Sequence, residues 1–150
     1  MPFVSNYPYS PGSIVGPSTQ LAYPDENSTF ADGAALTGSD AGYVEFPPAS
    51  SLGDSPSVTL EPLNIPGFST VAISGEIRSG GWDTGAYVVL RTYTNTIANR
   101  TLNFIWRPGE QAFYEEVRIV GEQVALRVYV DDTQETTTTV FTLNLFAMSL

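Results

Sequence analysis

The chain has 150 residues, of which 42% are hydrophobic and 15% are charged, and it contains neither cysteine nor histidine. Its six basic residues are all arginine, so this domain-sized chain lacks the groups for disulfides, Cys-His or Ser-His-Asp catalysis and Schiff bases. The net charge of −10 argues against nucleic acid and anionic membranes as partners, because both attract cationic side chains.

Residues 1–42 are predicted to form a long extended N-terminal arm. They show no sustained periodicity, and their prolines are spaced too closely for a helix and favour extended geometry. Residues 28–36 fit at most one short helical turn. Aromatic side chains between the prolines favour an arm that binds another protein surface, and a solvated tail is the alternative. The candidate partner-binding residues are Phe3, Tyr7, Tyr9, Tyr23 and Phe30.

From residue 43 onward, short runs of alternating apolar and polar residues separated by turn residues predict β-strands. The predicted strands lie near residues 57–60, 70–78, 86–94, 101–107, 113–120, 124–130 and 137–150. The run over 124–130 alternates most regularly. We expect four of its apolar side chains to point into the core, namely Val124, Leu126, Val128 and Val130.

Seven or eight strands with no helix between them require mainly antiparallel pairing, because parallel strands need long crossovers. The predicted fold is therefore all-β: an antiparallel, jelly-roll-like β-sandwich over residues 43–150, preceded by the arm over 1–42. An immunoglobulin-like sandwich is the alternative.

Acidic residues are the catalytic groups that remain, since a glycosidase needs only two carboxylates. Glu115 and Glu116 are neighbours in a predicted strand and point to opposite faces, so we interpret them as solvated or paired with Arg118 or Arg127. Asp131-Asp132 lacks the full spacing of a calcium loop, which favours a plain hairpin loop. The sequence therefore predicts no enzyme, no cofactor and no metal. The carboxylates considered are Glu115, Glu116, Asp131, Asp132 and Glu135.

Four aromatic residues are candidates for a sugar-stacking platform of the kind found in carbohydrate-binding modules. They are Trp82, Tyr87, Tyr93 and Trp106. Aromatic residues in a sandwich more often belong to the core or to an interface, and we favour the core for this set.

The layout resembles that of the decoration, or cement, proteins on the capsids of tailed bacteriophages. A Pro- and Tyr-rich arm, from Met1 to about Gly42, precedes a Thr-rich β-domain that ends at Leu150. The absence of Lys and Cys resembles proteins of phages on thermophilic hosts, which implies thermostability. The resemblance carries no motif by which functional residues can be transferred.

This resemblance implies a homotrimer on the capsid exterior of a virion. Its partner would be the major capsid protein, and its arm would clamp neighbouring capsid subunits and stabilise the capsid. Two other classes stay open. One is a carbohydrate- or receptor-binding module, for example of a phage tail, and the other is an acidic glycosidase.

Overall fold

The computed structural model describes residues 18–38, 42–48, 54–65, 68–131 and 135–149. Across these ranges the regular elements are all β-strands, and no helix among them could cross a membrane. The strands are β1 (Ser18–Ala22), β2 (Thr29–Ala31), β3 (Ala35–Leu36), β4 (Tyr43–Phe46), β5 (Ser57–Thr59), β6 (Leu63–Asn64), β7 (Phe68–Ser79), β8 (Ala86–Thr94), β9 (Ile97–Trp106), β10 (Ala112–Arg118), β11 (Gln123–Tyr129) and β12 (Thr139–Ser149).

The first sheet has the strand order β10-β7-β12-β4-β3, and β1 also pairs with β12. All of its pairings are antiparallel. Strand β12 runs beside β7 along almost its whole length, while its other side pairs with β4 over 139–142 and with β1 over 145–148. The last strand is therefore central in this sheet, which agrees with its long apolar sequence.

The second sheet has the strand order β2-β5-β11-β8-β9, and β6 also pairs with β11. Its pairings are antiparallel as well. Strands β8 and β11 lie side by side for seven residues, from Tyr87 opposite Tyr129 to Tyr93 opposite Gln123. This register decides which outward side chains become neighbours.

The core lies between the two sheets and follows the alternation of the strands. Val124, Leu126, Val128 and Val130 are all fully buried, as the sequence predicted. An aromatic cluster fills the space around Trp106, whose ring centroid lies 5.5 Å from that of Trp82. The all-β, antiparallel β-sandwich predicted from the sequence is therefore confirmed.

A glycine in β7 makes room for the Trp106 ring. A Cβ atom on Gly75 would lie 2.8 Å from the indole of Trp106 and 2.9 Å from the carbonyl oxygen of Thr142. These separations are far inside ordinary van der Waals contact. The bare glycine backbone therefore allows the largest core side chain to press against the first sheet.

The described part of the predicted arm contributes strands to both sheets. Strand β1 pairs with β12, β2 with β5 and β3 with β4. Phe30 packs against the core and Ala34 is buried. The prediction instead separated an arm over 1–42 from a sandwich over 43–150. Strands of two to five residues are too short to show the alternation by which strands are recognised in a sequence.

The short helical turn considered for residues 28–36 is wrong. This segment holds β2 and β3, joined by a turn in which Asp32 and Gly33 have φ angles of 54° and 89°. A helix cannot continue through two successive left-handed residues, whereas Asp and Gly tolerate that conformation in turns.

Candidate functional site

The five arm residues proposed to bind a partner separate into two groups. Phe3, Tyr7 and Tyr9 lie outside the described residues, so their role stays a prediction. Tyr23 is 41% exposed and precedes Pro24 on the way to β2. Phe30 is half-buried and packs against the core, so only part of its ring is left for a partner.

Three of the acidic residues considered for catalysis hold contacts within the fold, namely Glu116, Asp131 and Glu135. Glu115 and Glu116 lie opposite Ile73 and Ala72, so they point to opposite faces of β10 as expected. Glu116 accepts a hydrogen bond of 2.9 Å from the Tyr114 hydroxyl. Asp132 lies outside the described residues. Within the described ranges, no three metal-ligating side chains come together in a group that could hold a metal ion.

Glu135 joins the loop before β12 to the loop before β8. Its side chain is 2% exposed. Its Oε1 accepts a hydrogen bond from the backbone N–H of Asp83, and its Oε2 accepts bonds from the N–H and hydroxyl of Thr84, all at 2.7 Å. Asp83 in turn accepts bonds from the N–H and hydroxyl of Thr136. The two loops are therefore fixed to each other by reciprocal carboxylate contacts.

Replacing Glu135 with alanine should lower the free energy of unfolding by about 1–3 kcal/mol, because the N–H groups of Asp83 and Thr84 lose a charged acceptor that fixes two loops to each other. Urea denaturation followed by circular dichroism measures this loss. Glu116→Ala is the control, and as an exposed change it should stay within about 0.5 kcal/mol of the parent. Equal effects of the two substitutions would contradict the structural role of Glu135.

The same contacts predict a pH dependence. Hydrogen bonds from the side chain and then the backbone of Thr136 hold the pKa of Asp83 below its usual value. The stability that Asp83 contributes is therefore present above the ordinary aspartate pKa of about 3.9, and it is lost as the pH falls through the lower folded-state value.

The core position favoured for the four aromatic residues is confirmed for the two tryptophans. Trp106 is fully buried and Trp82 nearly so, because both belong to the aromatic cluster of the core. Tyr87 and Tyr93 are half-buried and occupy outward positions of β8, on one side of the second sheet. The two tyrosines lie six residues apart, or roughly 20 Å along an extended strand.

The outward side chains of β8 and β11 form one continuous surface, which we call the β8–β11 face. Strand pairing sets the neighbours, so that Tyr87 lies opposite Tyr129 and Arg91 lies opposite Ala125. The face consists of Tyr87, Val89, Arg91, Tyr93, Gln123, Ala125, Arg127 and Tyr129.

One end of the β8–β11 face is a stacked tyrosine pair. The ring centroids of Tyr87 and Tyr129 are 5.1 Å apart and their planes differ by 22°. The guanidinium carbon of Arg127 lies 4.4 Å from the Tyr129 ring centroid, at cation–π distance. The Asp131 charge, and then a hydrogen bond to its carboxylate, raise the pKa of the Tyr87 phenol. These contacts hold the pair in place.

A shallow depression of about 150 Å³ lies beside this pair. It is lined by Thr59, Val89, Arg91, Tyr93, Ala125, Leu126 and Arg127. Beyond Tyr93, a more open polar groove of about 370 Å³ continues toward the end of the sheet. That groove is lined by Asn64, Asn95, Thr96, Glu122 and Gln123. Aromatic rings, guanidinium groups and amides therefore follow one another along a single direction.

The first sheet is only partly open on its outward side. Several outward positions of β7 and β12 are buried, namely Thr70, Ala72, Ser74, Asn144 and Phe146. Glu76 and Arg78, nearer the end of β7, are exposed, and Arg78 lines an open depression of about 450 Å³. That depression has no aromatic side chain in its lining, in contrast to the β8–β11 face.

The sequence interpretation placed Tyr87, Arg91 and Tyr93 on one face of a strand but did not include Arg127 and Tyr129 in a site. Alternation within residues 124–130 indicates that Arg127 and Tyr129 point outward. The missing information was that β11 lies beside β8, which depends on strand order.

No protein-family model matches the chain, and no curated protein sequence matches it. Among solved structures, the chain is similar to the enzymatically active domain of tailspike protein 4 of bacteriophage CBA120, with 9% identity and a TM-score of 0.54. The match covers 82% of this chain and 20% of the tailspike chain. This chain therefore spans about a fifth of that protein.

Two carbohydrate-binding modules are similar over nearly their whole length. TmCBM61, in complex with β-1,4-galactotriose, has 13% identity and a TM-score of 0.50, with 83% of this chain and 91% of that chain covered. The family 11 module of Clostridium thermocellum, in complex with a β-1,3-1,4-mixed-linked tetrasaccharide, has 10% identity and a TM-score of 0.50, with 88% and 95% covered. These likenesses show that the chain has the jelly-roll-like β-sandwich fold of such modules.

Proposed function

We propose that the chain is a carbohydrate-binding β-sandwich module whose ligand lies along the β8–β11 face. The carrying observation is that this open sheet face has tyrosines at both ends, with arginine and amide donors beside them. Sugar rings combine apolar C–H faces with many hydroxyl groups. Aromatic rings pack against the apolar C–H faces, while guanidinium and amide groups donate hydrogen bonds to the hydroxyl oxygens.

Tyr93 is the residue we assign to stacking on a sugar. The facing rings of Tyr87 and Tyr129 are occupied by each other, and Arg127 covers Tyr129. Tyr93 makes no ring contact within the described part of the chain, and it lines the depression. Its ring is therefore the free aromatic surface on this face.

The fold comparison supports this proposal. The two similar modules were solved with a bound galactotriose and a bound mixed-linked tetrasaccharide. A non-catalytic role forms part of the proposal, because the described carboxylates Glu116 and Glu135 are engaged in hydrogen bonds within the fold.

The setting we propose is a phage tail, which is supported by the similarity to a tailspike domain. The clamp on a capsid depends on the arm over 1–42, of which residues 1–17 and 39–41 lie outside the described ranges. Three expectations therefore stay predictions: the homotrimer, the major capsid protein as partner and the virion exterior as location. Light scattering on the purified chain tests whether it is a trimer.

Glycan binding is tested by titrating the chain against a panel of neutral and acidic oligosaccharides, using a glycan array followed by calorimetry. We expect at least one member to bind, and Tyr93→Ala to weaken that binding at least tenfold, or about 1.4 kcal/mol. Tyr43→Ala is the control, since Tyr43 is also half-buried on a strand but belongs to the first sheet. It should leave the affinity unchanged.

Two outcomes would contradict the proposal. One is the absence of binding to every glycan in the panel. The other is an equal loss of affinity in Tyr93→Ala and Tyr43→Ala, which would place the ligand elsewhere or reveal a general effect of losing a tyrosine. Circular dichroism of both variants confirms that the fold is intact.

A further inference from the structure

The β8–β11 face differs in charge from the rest of the molecule. The chain holds 16 acidic residues and six basic ones. Nevertheless, the eight outward positions of the face include two arginines and no carboxylate. Carboxylates stand at its two ends, with Asp131 at the Tyr87 phenol and Glu122 in the groove beyond Tyr93. Adjacent outward positions of β5 and β9 are also free of carboxylates, namely Ser57, Thr59, Thr101, Asn103 and Ile105.

Arg91 and Arg127 are diagonal neighbours on this face. Arg91 lies opposite Ala125 and Arg127 lies two residues further along β11. Diagonal positions of this kind are roughly 7–8 Å apart. Both residues are exposed and both line the depression of about 150 Å³. Within the described ranges, neither one forms an ion pair.

Like charges on neighbouring positions of a sheet disfavour each other, so this pair of arginines is unfavourable for the free protein. The spacing of roughly 7–8 Å is that of the backbone positions, and the Arg127 guanidinium itself lies over the Tyr129 ring. The small side chains of Ala125 and Val89 line the depression together with the two arginines. An anionic group bound in the depression would relieve the repulsion.

We propose that the ligand of the β8–β11 face is an acidic polysaccharide, held through carboxylates on its sugars by Arg91 and Arg127. This inference rests on the proposed carbohydrate-binding function. The planar guanidinium group presents N–H donors in a fork that matches a carboxylate. The contact of Arg127 with the Tyr129 ring is a cation–π contact, and it consumes none of the N–H donors.

A carboxylated glycan fits better than a densely charged polyanion. Two arginines on one face can neutralise about one or two charges at a time. The surrounding net charge of −10 repels polymers such as nucleic acid or highly sulfated glycans. Polysaccharides with one carboxylate per sugar or per repeat place isolated charges along a chain that also offers hydroxyls and apolar faces to Tyr93.

The test compares acidic polysaccharides with their carboxyl-reduced forms, in which the sugar backbone is kept and only the charge is removed. The probes are polygalacturonate, alginate, hyaluronan and polysialic acid, measured by affinity electrophoresis and calorimetry at fixed ionic strength. The first three carry uronic acids and the last carries sialic acid, so the panel also distinguishes these two sources of carboxylate. We expect at least one acidic form to bind at least tenfold more tightly than its reduced form.

Arg91→Gln should reduce that preference to about threefold or less, because the amide keeps hydrogen-bond donors for hydroxyl groups but removes the charge that a carboxylate requires. Arg118→Gln is the control, because Arg118 is an exposed arginine on a strand of the first sheet. It should keep the preference of the parent. Rising NaCl concentration should weaken binding of the acidic form more than binding of the reduced form, because salt screens exposed charges.

The outcomes separate this inference from the function on which it rests. Equal binding of acidic and reduced forms, or an unchanged preference in Arg91→Gln, overturns the assignment of an acidic ligand and leaves carbohydrate binding standing. Tighter binding to dextran sulfate or to single-stranded DNA than to any carboxylated glycan also overturns it. No binding to any acidic or neutral glycan overturns both.

Discussion

Replacing Trp106 with alanine is expected to lower the free energy of unfolding by about 3–5 kcal/mol. The side chain is fully buried. Its ring centroid lies within 6 Å of those of Trp82, Phe113 and Phe141. Its indole N–H also donates a hydrogen bond of 2.9 Å to the Glu110 carbonyl. The substitution removes the centre of the aromatic cluster. The loss is large, because the total free energy of unfolding of a domain is only about 5–15 kcal/mol.

The two tryptophans allow a matched comparison. The N–H of Trp106 has its acceptor, whereas the buried N–H of Trp82 has no hydrogen-bond partner within the described residues. Trp106→Phe loses a hydrogen bond and leaves the Glu110 carbonyl without its donor, while Trp82→Phe removes an unpaired donor from the core. Chemical denaturation followed by circular dichroism should therefore show a larger loss for Trp106→Phe. A larger loss for Trp82→Phe would contradict these hydrogen-bond assignments.

The fold class was predictable because the long strands carry their own alternation. Within residues 124–130 and 102–106, every second side chain is apolar and points inward. Trp106 lies on the same strand face as Leu102 and Phe104. Trp82 precedes β8 in a loop, where no alternation indicates its direction. The short strands β1, β2, β3, β4 and β6 were not predicted, since they exist through pairing with neighbouring strands of the two sheets.

The candidate site was only partly predictable for a related reason. Alternation within β8 puts Tyr87, Arg91 and Tyr93 on one face, and alternation within β11 does the same for Arg127 and Tyr129. Whether these two sets adjoin depends on strand order, and in this fold β8 and β11 are neighbours although β9 and β10 intervene in sequence. Local sequence carries no information on such a non-local pairing.

Substitutions of two consecutive residues in β11 should have different effects, one mainly on stability and the other mainly on ligand binding. Leu126 is fully buried, while Arg127 is exposed on the β8–β11 face. Leu126→Ala should lower the free energy of unfolding by about 2–5 kcal/mol, because it leaves a cavity in the core. Arg127→Ala removes an exposed cation–π contact with Tyr129 and should cost less than about 1 kcal/mol.

The loss of ligand affinity should be larger for Arg127→Ala than for Leu126→Ala, the reverse of the order for stability. At a temperature where both variants are folded, Arg127→Ala should lose several-fold in affinity for the preferred acidic polysaccharide, whereas Leu126→Ala, whose side chain is fully buried, should lose less. Urea denaturation and calorimetry on the same two preparations measure both quantities. A loss of stability below about 0.5 kcal/mol in Leu126→Ala would mean that the faces of β11 are inverted. Full affinity in Arg127→Ala would show that the ligand does not contact Arg127, and the acidic ligand would then depend on Arg91 alone.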